Sequence, residues 1–192
     1  MRSLVGDPRW CFARITVNGK TPVAGDIRPA GEQIGSIIGD HIAATYGFDA
    51  KGGPPVVGHF TTFVAKAGVG SRYWVEIRGT KGLIHLGLGI SPIAMLCEDP
   101  AWMPGKSKAI WQPISSEGLG KPDAPMPPNV ANGNIFIVND LIDAIEQDRA
   151  PLDSLSDGRA SLEMILAVYE SFRLGKPVDF PLKTRKHPLS LL

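Results

Sequence analysis

Residues 134–174 carry two apolar stripes at helical spacing, one after the other, and two such helices are stable only against an apolar surface that they can cover. The first stripe is Ile135, Val138, Leu141, Ile142 and Ile145, ending in the polar EQDR before Pro151. The second is Leu162, Ile165, Leu166, Tyr169 and Phe172, closed by Gly175 with Pro177 just beyond, and Ser156 is placed to cap its start. The spacing predicts helices near 134–148 and 157–174.

The surface for them lies upstream. WCFARITV (Trp10 to Val17) alternates loosely, is rich in β-formers and runs into the turn Asn18-Gly19-Lys20. VVGHFTTFVAK reads as a second strand, and SRYWVEIRGTKGLIHLGLG as two more joined at Gly79-Thr80-Lys81-Gly82, with Tyr73, Val75 and Ile77 alternating with Trp74, Glu76 and Arg78. Glu32 to Tyr46 shows helical spacing instead, with Ile34, Ile38, Ile42 and Thr45 on one stripe and Gly47 as its stop. Between Pro92 and Pro128 the prolines and glycines predict a long excursion pinned by Trp102 and Trp111, in which MLCEDP and KAIWQPI each add a short strand. Strands followed by helices give an α+β class: an open, mainly antiparallel sheet with helices packed on one face, as a single domain over residues 1–192.

Several function classes fall away on composition. A net charge of +1 with acids and bases interspersed offers no basic stripe for nucleic acid. Cys11 and Cys97 stand far apart with no CxxC or Cys/His cluster, which argues against a zinc site and against a disulfide framework. The amino terminus has no signal-peptide core, and no run approaches the ~20 apolar residues that span a bilayer. A reduced, cytoplasmic protein with neither a membrane nor a nucleic-acid partner is the expectation.

The carboxyl third, NDLIDAIEQDRAPLDSLSDGRASLEMILAVYESFRLGKPVDFPL, resembles the end of the Gfo/Idh/MocA oxidoreductases. Asp157-Gly158, Ala167 to Ser171, Gly175-Lys176-Pro177-Val178 and Pro181-Leu182 stand in the family's order, and Arg78-Gly79-Thr80-Lys81-Gly82 resembles its sheet hairpin. The resemblance implies a carboxyl-terminal α/β domain whose full-length parent binds NAD or NADP through an amino-terminal Rossmann domain. It also implies a sugar, polyol or related hydroxyl compound as substrate, and pairing through open sheets into a homodimer or tetramer.

No GxGxxG stands between a strand and a helix here, so no dinucleotide cofactor is expected to bind this chain alone; Gly68-Val69-Gly70 and Gly87-Leu88-Gly89 read as turns. The family's E-K-P stretch is absent, and its D-x-x-x-H pair is incomplete. Aligned on the following Ile and the terminal Gly, Ser36 and Asp40 take the two positions; slipped by one residue, Ile37 and His41 do.

Asp40 and His41 are the weak catalytic candidates. On a helix, His41 falls at the edge of the isoleucine stripe, as a hydrogen-bonded core or interface histidine, while Asp40 points away with Ser36 and Ala43 across a small, approachable face. Trp10, Arg14 and His59 are the candidates for substrate binding, an aromatic plate with charged hydrogen-bonding groups being suited to a sugar. His85 reads as a strand-end residue, and His187 lies in a basic tail. The alternative to an enzyme part is a stand-alone, non-catalytic interaction or assembly module derived from the same domain.

Overall fold

The computed structural model describes residues 1–31, 35–49, 53–64, 73–88, 93–121 and 131–192. In chain order the elements are α1 (Arg2–Val5), β1 (Pro8–Thr16), β2 (Arg28–Pro29), β3 (Ser36–Ile37), β4 (His41–Phe48) and β5 (Val56–Phe63). Then come β6 (Tyr73–Arg78), β7 (Leu83–Leu88), β8 (Ile93–Cys97), β9 (Gln112–Ser115), β10 (Gly118–Leu119), α2 (Ala131–Glu146), α3 (Leu155–Leu174) and β11 (Val178–Asp179). Every strand pair is antiparallel. The class is α+β, as expected.

The chain divides into two compact units, Met1–Ala67 with Asp153–Leu192, and Gly68–Leu152. In the first, four strands run β11-β1-β4-β5. β1 alternates strictly in its middle, with Cys11, Ala13 and Ile15 buried and Phe12 and Arg14 exposed. The buried side meets α3, which presents Ala167, Val168 and Ser171; the small residues let the helix backbone approach the strand closely. Ile15, Ile38, Phe48 and Leu189 complete this core.

β11 pairs with β1 only at Trp10 and Cys11, so the Ala13 N–H beyond it has no strand partner on that side. The Ser171 hydroxyl accepts that N–H at 3.0 Å and donates to the Lys176 carbonyl at 2.8 Å. One buried hydroxyl thus ties sheet, helix and the turn after the helix together.

α3 begins one turn-residue pair earlier than expected. Its cap is Ser154 and not Ser156: the Ser154 hydroxyl accepts the Asp157 N–H, and the Asp157 carboxylate accepts the Ser154 N–H at 3.1 Å. This reciprocal box satisfies two donors that a helix start otherwise leaves open. The helix ends as the sequence indicates, with Gly175 left-handed at φ 63°.

The helix expected over Glu32–Tyr46 is not there. Residues 32–34 lie outside the described residues, Ser36–Ile37 is β3 paired with β2, and His41–Phe48 is β4 between β1 and β5. Spacing of four satisfies a strand's period of two as well as a helix turn, so Ile38, Ile42 and Tyr46 share a face in either structure. Two facts decide for strand: the run is rich in β-branched residues, and Gly35 and Gly39 sit at φ 105° and 101°, which no helix allows.

In the second unit, five strands run β10-β9-β8-β7-β6. The β6–β7 hairpin turns where expected, with the Gly79 N–H donating to the Gly82 carbonyl at 2.9 Å. MLCEDP contributes to β8 and KAIWQPI to β9. Trp102 and Trp111 meet edge to face with ring centres 5.5 Å apart, and Trp111 reaches His85 on β7 at 5.8 Å. The excursion is therefore pinned by its tryptophans onto the sheet. α2 buries Ala144, yet Phe136 and Ile145 are 70% and 73% exposed.

Candidate functional site

The four-stranded sheet has one face under α3 and one face open, and strand register assigns the sequence candidates to them. Directly opposed residues of antiparallel strands point to the same side. The rows on the open side are Trp10–Gly47–Val57, Phe12–Thr45–His59, Arg14–Ala43–Thr61 and Thr16–His41–Phe63. Trp10, Arg14 and His59 are thus brought together on one surface, with Phe12, Val57 and Phe63 between them at 44%, 50% and 70% exposure.

Trp10 covers Gly47, where an added Cβ would collide with the indole. His59 Nδ1 and the Thr45 hydroxyl lie 3.1 Å apart. Arg14 is exposed and, among the described residues, has no ion pair.

Asp40 and His41 part company. The Asp40 carboxylate accepts the Asn18 N–H at 2.7 Å, its own N–H donates to the Thr16 carbonyl and its carbonyl receives the Val64 N–H. Asn18 stands at φ 51°, so Asp40 braces the turn that leaves β1. His41 opens β4, exposed on the open face and without a side-chain hydrogen bond among the described residues, which corrects the hydrogen-bonded core histidine expected on a helix. The reason is the strand itself: neighbours alternate sides, and Ile42 takes the core side.

Among the described residues of this unit, α3 borders a larger and a smaller concavity. The larger, about 1030 Å³, lies along the first turns of α3 and is bounded by α1, the start of β1, Asp49 and Phe180–Pro181. It gathers Arg2, Arg9 and Arg159 with Asp7, Asp49 and Glu163. Arg2 bridges Asp7 and Asp157, the latter at 2.6 Å, and Arg9 pairs with Asp49. The Ser154 hydroxyl and then Arg2 hold the Asp157 carboxyl at about 2. The smaller, about 170 Å³, is lined mainly by apolar side chains together with Asp40, Thr62 and Tyr169. Burial pushes the Tyr169 phenol up, against the pull of Arg28.

Sequence reasoning missed the groove. Its one signal is Glu163, on the helix that carries the motif. Among the described residues, no cluster of three or more His, Cys, Asp or Glu could hold a metal ion, and no helix is long and apolar enough to cross a membrane. Gly87 lies in β7, and Gly68-Val69-Gly70 falls outside the described residues.

The motif residues themselves prove to be docking residues. Asp157 closes the helix cap, Ala167 and Ser171 are fully buried against β1, Gly175 makes the left-handed stop and Val178 pairs with Cys11 in β11. The Leu182 N–H donates to the Glu163 carboxylate at 2.7 Å. At the hairpin, a side chain on Gly82 would run into the Cys97 carbonyl.

An open antiparallel sheet backed by a long helix is a fold that this chain shares with solved oxidoreductases. No family model and no curated protein matches the sequence. Solved structures do match. A levoglucosan dehydrogenase in complex with NADH and L-sorbose superposes with TM-score 0.66 at 19% identity, over 94% of this chain and 46% of that one. The same enzyme with NADH and levoglucosan gives 0.67 at 18%, over 94% and 47%. An oxidoreductase domain protein from Kribbella flavida gives 0.65 at 20%, over 94% and 47%. The chain spans slightly less than half the length of these neighbours, with which it shares a fold.

Proposed function

We propose that residues 1–192 form the carboxyl-terminal domain of a Gfo/Idh/MocA-like, NAD(P)-dependent oxidoreductase of the cytoplasm, acting on a sugar, polyol or related hydroxyl compound. The observation that carries this reading is the fold match over 94% of the chain to structures of a sugar dehydrogenase bound to NADH. The ordered motif, whose Ala167 and Ser171 pack α3 on β1 and whose Val178 pairs with Cys11, supports it independently.

In this reading the domain supplies part of the substrate pocket and the assembly surface, and it is not catalytic alone. Hydride transfer needs a nicotinamide held by a glycine-rich turn at a helix start, which a Rossmann domain on further polypeptide would supply. The half-exposed apolar side of α2 fits a domain that has more protein to pack against. The groove along α3 offers guanidinium and carboxylate groups to hydroxyls, and the open face carrying Phe12, Val57 and Phe63 offers a surface for pairing into a homodimer, or a tetramer of such dimers.

Three titrations on the full chain test the reading. Nicotinamide fluorescence should show no NADH or NADPH binding tighter than about 100 μM, some −5.5 kcal/mol. Ligand-observed NMR against a panel of pyranoses and linear polyols should find binders, and light scattering should find a dimer or tetramer at micromolar concentration. Tight NADH binding overturns the assignment; a dimer that binds no member of the panel replaces it with the assembly module.

A further inference from the structure

The open face of the four-stranded sheet is apolar at its centre and sparsely charged. Its formal charges at neutral pH are Arg14 in one row and, on β11 opposite Trp10, Asp179. Both are exposed and neither has an ion pair among the described residues. They stand toward opposite ends of the β11–β1 pair. A two-fold docking of this face on a second copy, with the two β1 strands antiparallel, therefore sets Arg14 of each copy toward Asp179 of the other. This self-complementarity is what an isologous contact requires.

The same face carries two histidines. His41 stands in the row next to Arg14, between Thr16 and Phe63; His59 stands in the central row, bonded through Nδ1 to Thr45 with Phe12 beyond. Among the described residues, no carboxylate on β1, β4 or β5 shares their side of the sheet. The nearest in sequence, Asp40, is committed to the Asn18 N–H at the strand end. Neutral imidazoles fit such a contact, whereas imidazolium ions would be buried there next to Arg14 with Asp179, the carboxylate on this face, already set toward Arg14 of the other copy, and burying an unpaired charge opposes association.

We propose that, in a pair formed through the open face of β1, β4 and β5, protonation of His41 and His59 releases the two copies. The inference rests on the assembly reading above and adds the partner's orientation and an acid switch to it. Histidine is the side chain whose charge changes between pH 5 and 8. Two histidines on each of two copies place up to four positive charges in the contact. A charge excluded from the contact on one copy is excluded on its partner too, so a penalty of about tenfold per imidazolium becomes about 100-fold per pair.

The test is sedimentation velocity on dilution series of the full chain at pH 8.0 and 5.5, with near-ultraviolet circular dichroism confirming a folded chain at both. The expected result is a dimer at pH 8.0 whose dissociation constant rises about 100-fold or more at pH 5.5, with the rise abolished in the His41→Gln/His59→Gln double variant. The single variants, His41→Gln and His59→Gln, serve if the double variant does not fold, and each should reduce the rise. Arg14→Glu should weaken the dimer at pH 8.0, and Arg14→Glu/Asp179→Arg should restore it. Equal dissociation constants at the two pH values, or an undiminished rise in every histidine variant, overturn the switch and leave the assembly reading standing. A monomer at both pH values overturns the assembly reading and the switch with it.

Discussion

The indole of Trp10 occupies the space that a side chain at Gly47 would need, strand against strand on the open face. Gly47→Ala should therefore cost about 1–3 kcal/mol, since the displaced indole must leave its place or the strands must part. In a double-mutant cycle, Trp10→Ala should relieve most of that cost, because the smaller residue removes the collision. Urea melts of the four proteins measure the coupling; strictly additive effects would show that the two residues do not interfere.

Asp40 and His41 should differ in stability, in the order opposite to that expected of a helix. Asp40→Ala removes the acceptor of the Asn18 N–H and should cost about 1 kcal/mol. His41→Ala, on an exposed strand end, should stay within about 0.5 kcal/mol. Denaturant midpoints at pH 8 and low protein concentration decide between the two orders.

Ser171→Ala should be among the costlier small substitutions. It leaves the Ala13 N–H without its acceptor and the Lys176 carbonyl without its donor, at a site fully closed to water. About 1–3 kcal/mol is the expected loss. Hydrogen exchange should speed up at Ala13 specifically, and an unchanged rate there would show that another group takes over.

Neither thiol should react in the native protein. Cys11 and Cys97 are both fully buried, and burial pushes the Cys11 thiol up to about 12, the Tyr46 hydroxyl beside it pulling the other way. Burial likewise raises the Tyr46 phenol. Both groups favour the folded state fully below pH 9, and that contribution is lost as pH climbs from 9 through 12, because the unfolded chain ionises first. A disulfide-exchange reagent at pH 8 should label no cysteine rapidly and two after urea. Alkaline melts should steepen above pH 9.

Acid should act through Asp157. Its carboxyl, ordinarily near 3.8, is held at about 2 by Ser154 and Arg2, so it favours the folded state above pH 4 and loses that contribution as pH falls through 2. Asp157→Asn should lower the urea midpoint at pH 6 and flatten the decline between pH 4 and 2. An identical acid limb in the variant would place the titrating group elsewhere.

How far the sequence went depends on whether the deciding information was local. β1 and its turn, the β6–β7 hairpin and both long helices were legible, because alternation, the Gly79–Gly82 turn and the Gly175 stop act within a few residues of themselves. The motif resembling the oxidoreductases was legible for the same reason: its members dock one helix on one strand and follow one another closely along the chain.

β4 was not legible, and the cause is physical. Ile38, Ile42 and Tyr46 satisfy both periods, so the choice fell to Gly39 at positive φ, where a side chain would strike Ile15, and to the unpaired edges of β1 and β5 that β4 joins. The β1 edge lies far from it in sequence. What the sequence determined by itself was which residues have an apolar side and where local structure stops. Only the tertiary structure decided that Trp10, Arg14, His41 and His59 share one face and that Asp40 braces a turn, because strand register sets which side chains become neighbours across the sheet.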